Sequence, residues 1–350
     1  MNIYILNIIF IFCPYMNAFS SRSFSTKHFI NKNNQYNNKQ LTLENNIIDI
    51  DEKLFHIIEK KRAGFMNIIR YKNIMPTFFL CFSGGWVMCP SWFLLWTNVS
   101  FLVTTINTIL IMSASMVIND IFDIEIDRFN MLRRPMVTGE VTKWEAVLYT
   151  LLLLSISEFL TLHFLPSYLI DNIHFSIVCL MLYTPFFKKI TFIKNLFCAF
   201  FVSFSVFVGG NSSCKGILSL QPNFGLLSII YSLIFFGSLF NEILLDIRDY
   251  DGDKYFNVKT LPSLLGKEIS WIIAGLIIFY NIISNSFSLM FYRGIDNGLI
   301  LPFFFVPILQ QYYSIKTNDY SKESIVATVN TSSSYYFIGL LFYLYLLASL

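Results

Sequence analysis

Two groups of acidic and amide side chains lie at the ends of strongly apolar segments, and their residue types are the ones best suited to chemistry. The first acidic group is Asn119, Asp120, Asp123 and Asp127; the second acidic group is Glu242, Asp246, Asp249 and Asp253. Carboxylates within or bordering membrane helices are costly and mark functional sites by default. Two acidic groups that face each other need cations between them. Their natural ligand is a diphosphate held through Mg²⁺.

The spacing in each group predicts one face of one helix. With 3.6 residues per turn, Asn119, Asp123 and Asp127 form a stripe, and the second acidic group keeps a similar spacing. Mg²⁺ is usually held by one or two carboxylates together with water and substrate phosphates, so each stripe can hold one ion. Solvated helix capping is the alternative, which we prefer for the off-stripe residues Glu125 and Asp251. Matching offsets between the two groups also indicate an internal duplication.

The helices that must position these side chains are predicted to cross a membrane. The chain has 350 residues, of which 55% are hydrophobic, 18% aromatic and only 13% charged, outside the balance of a soluble globular domain. Apolar runs able to cross about 30 Å of hydrocarbon lie near 74–96, 99–119, 144–166, 172–187, 195–213, 225–245, 269–292, 298–315 and 332–350. The sequence therefore predicts an all-α, polytopic membrane protein with nine transmembrane helices.

Lys and Arg residues are concentrated in the loops on one side of these runs. Loops after the second, fourth, sixth and eighth runs are rich in them, whereas the opposite loops hold only Lys215 and Arg293. Such a bias sets the orientation of a membrane protein. Both acidic groups end on the basic side, as one shared site requires.

Cysteine and histidine give no sign of another metal chemistry. The six cysteines show no metal or redox spacing, and we interpret them as packing residues. The four histidines lie outside both acidic groups, which disfavours zinc and haem sites. Hard oxygen ligands favour Mg²⁺, which we predict as the cofactor.

The first 43 residues have the composition of a two-part targeting leader. A short apolar core at 3–12 and a small-residue site at Ala18 precede Phe19, and a basic, acid-free segment runs from Arg22 to Leu43. This resembles the bipartite leaders of complex plastids; a secretory leader followed by an Asn-rich linker is the alternative. Residues 44–72 are predicted to form a linker and an amphipathic surface helix, which leaves 73–350 as the membrane domain.

Beyond these patterns, the motifs resemble a known family. The first signature is Asn119-Asp120-x-x-Asp123-x-x-x-Asp127-x-x-Asn130-x-x-x-Arg134-Pro135-x-x-x-Gly139. The second is Asp246-Ile247-x-Asp249-x-x-Gly252-Asp253, followed by Lys259-Thr260-x-Pro262. Weaker matches are Arg70-x-x-Asn73-x-x-Pro76, and Tyr183-x-x-x-x-Lys188-Lys189 followed by Lys194-Asn195. Together they are similar to the UbiA superfamily of intramembrane prenyltransferases. That resemblance implies nine transmembrane helices around a central cavity.

The resemblance also implies roles for individual residues. The implied metal ligands are Asn119, Asp123 and Asp127 for one Mg²⁺, and Asp249 and Asp253, supported by Asp246, for another. The implied substrate-binding residues are Arg70, Asn73, Arg134, Lys188, Lys189 and Lys259. Tyr183 is implied to be catalytic with Asp123, Asp127, Asp249 and Asp253, because its π face can stabilise a carbocation. Lys188 and Lys189 are alternatively positive-inside anchors, and Tyr183 a member of an interfacial aromatic belt.

Our leading hypothesis is an enzyme that transfers a polyprenyl group from an allylic polyprenyl diphosphate to a hydrophobic acceptor, either an aromatic quinone precursor or a lipid. The expected partners are the diphosphate, the acceptor and membrane lipid, and no nucleic acid. An ion-coupled secondary transporter is the rival, since duplicated halves and intramembrane carboxylates also mark carriers. A catalytically silent relative is a further alternative. The expected location is a plastid membrane, or another endomembrane.

Overall fold

The computed structural model describes residues 55–129, 133–214 and 218–348. Contacts divide the chain into two units, Met1–Ile57 and Ile58–Leu350, and every element below lies in the second. The described residues form helices and turns without any β-strand, which confirms the all-α prediction. The predicted leader, 1–43, falls outside the described residues.

Nine long helices of the described chain coincide with the nine predicted apolar runs. They are α1 (Ile74–Met88), α2 (Val99–Phe129), α3 (Lys143–Phe164), α4 (Ser167–Tyr183), α5 (Ile193–Ser213), α6 (Phe224–Arg248), α7 (Lys267–Arg293), α8 (Ile295–Thr317) and α9 (Lys322–Ala348). Within the described ranges, seven of them, α2, α3 and α5 to α9, are long and apolar enough to cross a membrane. Helices α1 and α4 have 15 and 17 residues, fewer than the roughly 20 of a typical span. Nine crossing helices therefore stays a prediction.

The first apolar run is interrupted, although the sequence predicted one segment over 74–96. Helix α1 ends at Met88, and Cys89 leaves helical geometry with φ −141° and ψ 80°. Pro90 explains the break, because proline lacks a backbone N–H and disfavours helical geometry in the residue before it. A short helix, Trp92–Thr97, then begins after Ser91, whose hydroxyl accepts a hydrogen bond from the backbone N–H of Leu94.

The buried apolar side chains form two main clusters. One joins α2, α3 and α4 to a helical segment at residues 58–68, and the other joins α5 to α9. Ile68 and Ile69 are buried in the first cluster, and the Lys61 ammonium donates to the Glu145 carboxylate at 2.6 and 2.7 Å. The end of the predicted surface helix thus packs against the bundle instead of lying wholly on its surface.

Helices α1 and α5 approach each other closely enough for their backbones to touch. A Cβ atom on Gly84 would lie 1.9 Å from the carbonyl oxygen of Val206, and one on Gly209 would lie 2.1 Å from the carbonyl oxygen of Cys81. Only glycine fits such a contact, which is a common way for membrane helices to pack tightly. We call these two contacts the glycine seam.

Candidate active site

The first acidic group occupies the last turns of α2, where the helix leaves its apolar segment. The Lys188 ammonium donates to the Asn119 side-chain oxygen at 2.8 Å and also to the Asp123 carboxylate. Lys188 belongs to a 3₁₀ turn, Phe187–Lys189, between α4 and α5. The predicted stripe therefore brings an amide oxygen and a carboxylate to one cation.

Two arginines lie beside the remaining acids of this group. Arg70, predicted to bind substrate, instead donates to Asp120 at 3.1 Å, and the Asp120 side chain is 2% exposed. The Arg134 guanidinium lies 3.8 Å from the Asp127 carboxylate, beyond hydrogen-bond distance. Its Nε is buried and has no hydrogen-bond partner among the residues described. Arg134 thus keeps donor capacity for a ligand next to Asp127.

The second acidic group does not lie on one continuous helix, and that prediction was wrong. Helix α6 ends at Arg248, and a separate short helix, Tyr250–Tyr255, follows Asp249, whose φ and ψ are −91° and 6°. The run from Asp249 to Asp253 is rich in aspartate and contains Gly252, residue types with low helix propensity. The break places Asp246 within α6 and Asp253 in the short helix that follows.

Asp246 is the buried member of the second acidic group. It accepts hydrogen bonds from the Lys194 ammonium and, at 2.8 Å, from the Asn195 amide, both at the start of α5. The Asp246 side chain is 5% exposed. Each of its two oxygens therefore has a protein donor, which suits the supporting role better than direct metal coordination.

Asp249 and Asp253 are more accessible. The Arg248 guanidinium makes two hydrogen bonds to the Asp249 carboxylate, at 2.8 and 2.7 Å. Burial raises the pKa of Asp253 to about 6; Lys194 partly opposes this shift and the Asp246 carboxylate adds to it. A carboxylate that is costly to ionise without a partner is a good acceptor for a metal ion.

Tyr183 lies between the two acidic groups. Its hydroxyl is 3.2 Å from the Cys198 sulfur, and it interacts electrostatically with both Asp123 and Glu242. Its ring is 6.1 Å from that of Phe197, which stacks on Phe187 at 4.6 Å. An aromatic face therefore lies within electrostatic range of one acid from α2 and one from α6.

Three predicted substrate-binding residues are not brought into these contacts. The side chains of Asn73 and Lys259 are exposed and make no hydrogen bond or ion pair within the described ranges, although the Lys259 carbonyl accepts a hydrogen bond from the Thr191 hydroxyl at 3.1 Å. The Lys189 side chain lies outside the described part of the structure. Their roles stay predictions.

The oxygen atoms of the first acidic group fit a magnesium ion. In the described chain no three His, Cys, Asp or Glu side chains converge closely enough to enclose a metal. Mg²⁺ does not require such a cage, because it takes most of its ligands from water and substrate phosphates. Asn119 and Asp123 already direct one oxygen each at a single positive charge, the Lys188 ammonium. A hydrated ion can use the same two oxygens.

An apolar pocket of about 370 Å³ lies between α5 and α6. It is lined by Phe200, Phe204, Phe207, Phe224, Leu227, Ser228 and Tyr231. Phe200 follows Lys194 along α5 by roughly 9 Å of helix axis. On α6 the lining runs from Phe224 to Tyr231, near the end of the helix opposite Asp246, so the pocket lies farther along both helices than the second acidic group.

Sequence reasoning missed the partners of the acids more than the acids themselves. Lys194 and Asn195 entered only through a weak motif match, and Arg248 was not assigned a role. The available signal for Lys194 was its position near the start of an apolar helix, opposite an acidic stripe on the next helix. It was overlooked because the same lysine also satisfies the positive-inside rule.

Comparisons with known proteins show similarity to one family over most of the chain. A family model for the UbiA prenyltransferase family matches residues 76–347. The digeranylgeranylglyceryl phosphate synthase of Saccharolobus solfataricus is 30% identical over 216 residues, 61% of this chain and 73% of the relative. The synthase of the same name from Methanococcus maripaludis is 27% identical over 267 residues, 76% of this chain and 92% of the relative.

Solved structures show the same fold. A structure of a digeranylgeranylglyceryl phosphate synthase superposes with a TM-score of 0.62 at 23% identity, covering 83% of this chain and 99% of the other. A UbiA homologue from Archaeoglobus fulgidus, solved with GPP and Mg²⁺, has a TM-score of 0.59 at 17% identity, covering 82% of this chain and all of the other.

Proposed function

The chain belongs to the UbiA prenyltransferase family, and on that premise we propose that it transfers a polyprenyl group from an allylic polyprenyl diphosphate to a lipid acceptor, with Mg²⁺ as cofactor. The observation that supports the proposal is that Tyr183 lies within electrostatic range of one acid from each group, Asp123 on α2 and Glu242 on α6. A diphosphate is the ligand whose charge matches two hydrated cations and the surrounding Lys and Arg side chains.

The acidic and amide residues are proposed to bind the metal ions. Asn119, Asp123 and Asp127 would hold one Mg²⁺, and Asp249 and Asp253 the other. When bound, the ions neutralise the departing diphosphate as Lewis acids and hold it in place. The ligand positions rest on the family resemblance and on the convergence of Asn119 and Asp123 upon one cation.

Basic and aromatic side chains complete the proposed site. Arg134 and Lys188 would donate to the diphosphate oxygens, with Lys189 and Lys259 reaching the site from neighbouring loops. The face of Tyr183 would stabilise positive charge on the allylic carbon. The stacked rings of Phe187 and Phe197 beside it would exclude water, which otherwise captures the cation.

We place the prenyl tail in the apolar pocket between α5 and α6. The pocket offers aromatic surface, and each buried CH₂ contributes roughly 0.8 kcal/mol to binding. Its lining begins about two helical turns beyond Lys194 on α5 and reaches Tyr231, roughly 22 Å of helix axis from Asp246 on α6, so only a long prenyl tail extended along α5 would fill it from a diphosphate held at the acidic groups. The Archaeoglobus fulgidus homologue, solved with GPP and Mg²⁺, supports a prenyl diphosphate as the donor.

We further propose that the acceptor is a glycerol phosphate lipid. Several curated relatives, from different archaea, are named digeranylgeranylglyceryl phosphate synthases. An aromatic quinone precursor is the competing acceptor and belongs in the same assay.

The composition of the leader at 1–43 is the reason for proposing delivery to a plastid membrane. A fusion of this segment to a fluorescent protein tests the proposal in an alga with complex plastids. Delivery of the fusion to mitochondria contradicts the plastid proposal, and so does plastid import that is unchanged by Phe19→Ala.

The deciding experiment uses purified full-length protein in lipid nanodiscs. Labelled geranylgeranyl diphosphate is supplied with either geranylgeranylglyceryl phosphate or 4-hydroxybenzoate, with Mg²⁺ or with EDTA. We expect Mg²⁺-dependent product with the lipid acceptor, and Asp123→Asn or Asp249→Asn to lower the rate roughly a thousandfold, equivalent to several kcal/mol of barrier.

Asp251→Asn is the matched control. Its side chain is 70% exposed and its nearest cation, Lys267, is 4.0 Å away, so this change should leave the rate within about twofold, as for most exposed ion pairs. Full activity in EDTA contradicts the metal assignment. Movement of the diphosphate across sealed vesicles without its consumption, driven by Na⁺ or H⁺, favours a carrier instead.

A further inference from the structure

Lys188 occupies the position that the proposed function assigns to the first metal ion. Its ammonium donates both to the Asn119 oxygen, at 2.8 Å, and to the Asp123 carboxylate. The Lys188 side chain is 25% exposed and that of Asp123 17%, so this is a partly enclosed pair and not a loose surface contact. A hydrated Mg²⁺ and an ammonium cannot share these two oxygens.

The way Lys188 is attached to the fold allows it to leave. It lies in the three-residue 3₁₀ turn Phe187–Lys189, which is closed by a hydrogen bond from the Ile190 N–H to the Phe187 carbonyl at 3.0 Å. A lysine stem is flexible, and its ammonium is a compact point charge. The side chain can therefore move without unwinding a membrane helix.

Lys194 shows the opposite arrangement in the second acidic group. It lies in the first turn of α5, and its partner Asp246 is 5% exposed and also held by the Asn195 amide. Because α5 touches α1 at the glycine seam, the helix that carries Lys194 is fixed in place. The two lysines have similar partners but differ in freedom.

We propose that Lys188 is a placeholding cation that neutralises the Asp123 carboxylate and occupies the Asn119 amide oxygen while no substrate is bound, and that it moves onto the diphosphate when Mg²⁺ takes its place. This inference rests on the proposed function. If Mg²⁺ bound without a diphosphate, it would displace Lys188 from Asp123, the counter-charge that the described residues provide for it. With a diphosphate present, the displaced ammonium gains a new anionic partner.

The consequence is coupling between the two ligands. Free Mg²⁺ competes with a tethered cation and binds weakly, whereas Mg²⁺ with a diphosphate meets no such penalty. Binding of either ligand must then favour the other by the same factor. Lys188 thereby tunes the site to the metal–diphosphate complex and keeps it from filling with the free ion.

The test measures binding without catalysis, using Mn²⁺ as an EPR-visible substitute for Mg²⁺ and inorganic pyrophosphate as the diphosphate. Wild type is compared with Lys188→Met, Lys188→Arg and the charge-matched control Lys143→Met, since Lys143 is exposed and forms no ion pair among the described residues. We expect Lys188→Met to tighten binding of Mn²⁺ alone on the order of tenfold, the usual effect of one neighbouring charge. The same variant should bind pyrophosphate more weakly. Lys188→Arg and Lys143→Met should match wild type for Mn²⁺ alone.

A second measurement on the wild-type protein stands even if Lys188→Met does not fold. Acetylation of individual lysines is followed by mass spectrometry in nanodiscs. The reactivity of Lys188 should rise when Mg²⁺ is added alone and fall again when pyrophosphate joins it. Lys143 should react equally in all three conditions.

The outcomes separate the inference from the function on which it rests. A wild-type protein that binds neither Mn²⁺ nor pyrophosphate, alone or together, contradicts the proposed function. If the wild-type protein binds both, two results overturn the placeholder role alone. One is unchanged or weaker Mn²⁺ binding in Lys188→Met, and the other is a Lys188 reactivity that does not change when Mg²⁺ is added.

Discussion

Replacing Arg70 by methionine should destabilise the protein, because it leaves the buried Asp120 carboxylate without its counter-charge. The Arg70 guanidinium donates to Asp120 at 3.1 Å, and only 2% of the Asp120 side chain is exposed. Removing one partner of a buried pair costs about 3–5 kcal/mol. Since Arg70 itself is 30% exposed and water reaches its side of the pair, we expect the lower end, about 3 kcal/mol. That is roughly a hundredfold change in the unfolding equilibrium.

The assay is chemical or thermal unfolding of purified protein in detergent, followed by tryptophan fluorescence. Arg62→Met is the control, because its pair with Glu59 is exposed, with 76% and 50% of the two side chains accessible. Such a pair contributes at most about 1 kcal/mol. The double variant Arg70→Met with Asp120→Asn removes the stranded charge and should recover most of the lost stability.

Two results would refute this reasoning. Arg70→Met could unfold at the same denaturant concentration as Arg62→Met, or Asp120→Asn could fail to restore the Arg70→Met protein. Transfer activity of the stable double variant then answers a separate question. Low activity in a folded double variant supports the substrate-binding role that the sequence predicted for Arg70, whereas normal activity assigns Arg70 to holding Asp120.

Three further predictions concern the chemistry of the site. Tyr183→Phe should keep most of the transfer rate, whereas Tyr183→Leu should lower the rate roughly five- to thirtyfold, which corresponds to the loss of a cation–π contact. Equal rate losses in the two variants contradict a role for the aromatic ring. Because burial raises the pKa of Asp253 to about 6 and a metal binds only the carboxylate, Mn²⁺ affinity should be full well above that value and fall as the pH drops through it. Calorimetry should show a flatter profile in Asp253→Asn. Ser228→Trp should fill the apolar pocket and shift preference toward shorter prenyl diphosphates in a competition assay; an unchanged chain-length profile places the tail elsewhere.

The sequence was sufficient to predict the features that depend on one segment at a time. Apolar run length predicted helices at the right places, and helical spacing predicted that Asn119 and Asp123 would lie on one face, where both accept from Lys188. The break after Met88 could also have been predicted, since Pro90 disfavours continuation of the helix. The division of the second acidic stripe at Asp249 was harder to predict, because a lone glycine among polar residues does not by itself end a helix.

Pairing between distant segments could not be predicted in the same way. By residue type and position, each of the three cations Lys188, Lys194 and Arg70 also fits the positive-inside rule. The neighbouring sequence does not indicate which carboxylate each of them pairs with. Their partners follow from how α2, α5 and α6 pack, which is a property of the whole bundle. The sequence therefore located the acids correctly and left their counter-charges unassigned.

The glycine seam has a consequence for distance at the site. Lys194, which holds an acid of the second group, lies in the first turn of α5, while α1 begins four residues after Arg70, which holds an acid of the first. Because Gly84 and Gly209 bring the α1 and α5 backbones into contact, one counter-charge lies on, and the other just before, a pair of helices that are held at a fixed spacing. The seam thus sets the spacing between α1 and α5, and with it the gap between the two counter-charges that border the proposed diphosphate site. An added methyl group at either glycine would change that gap while leaving every charged residue in the chain intact.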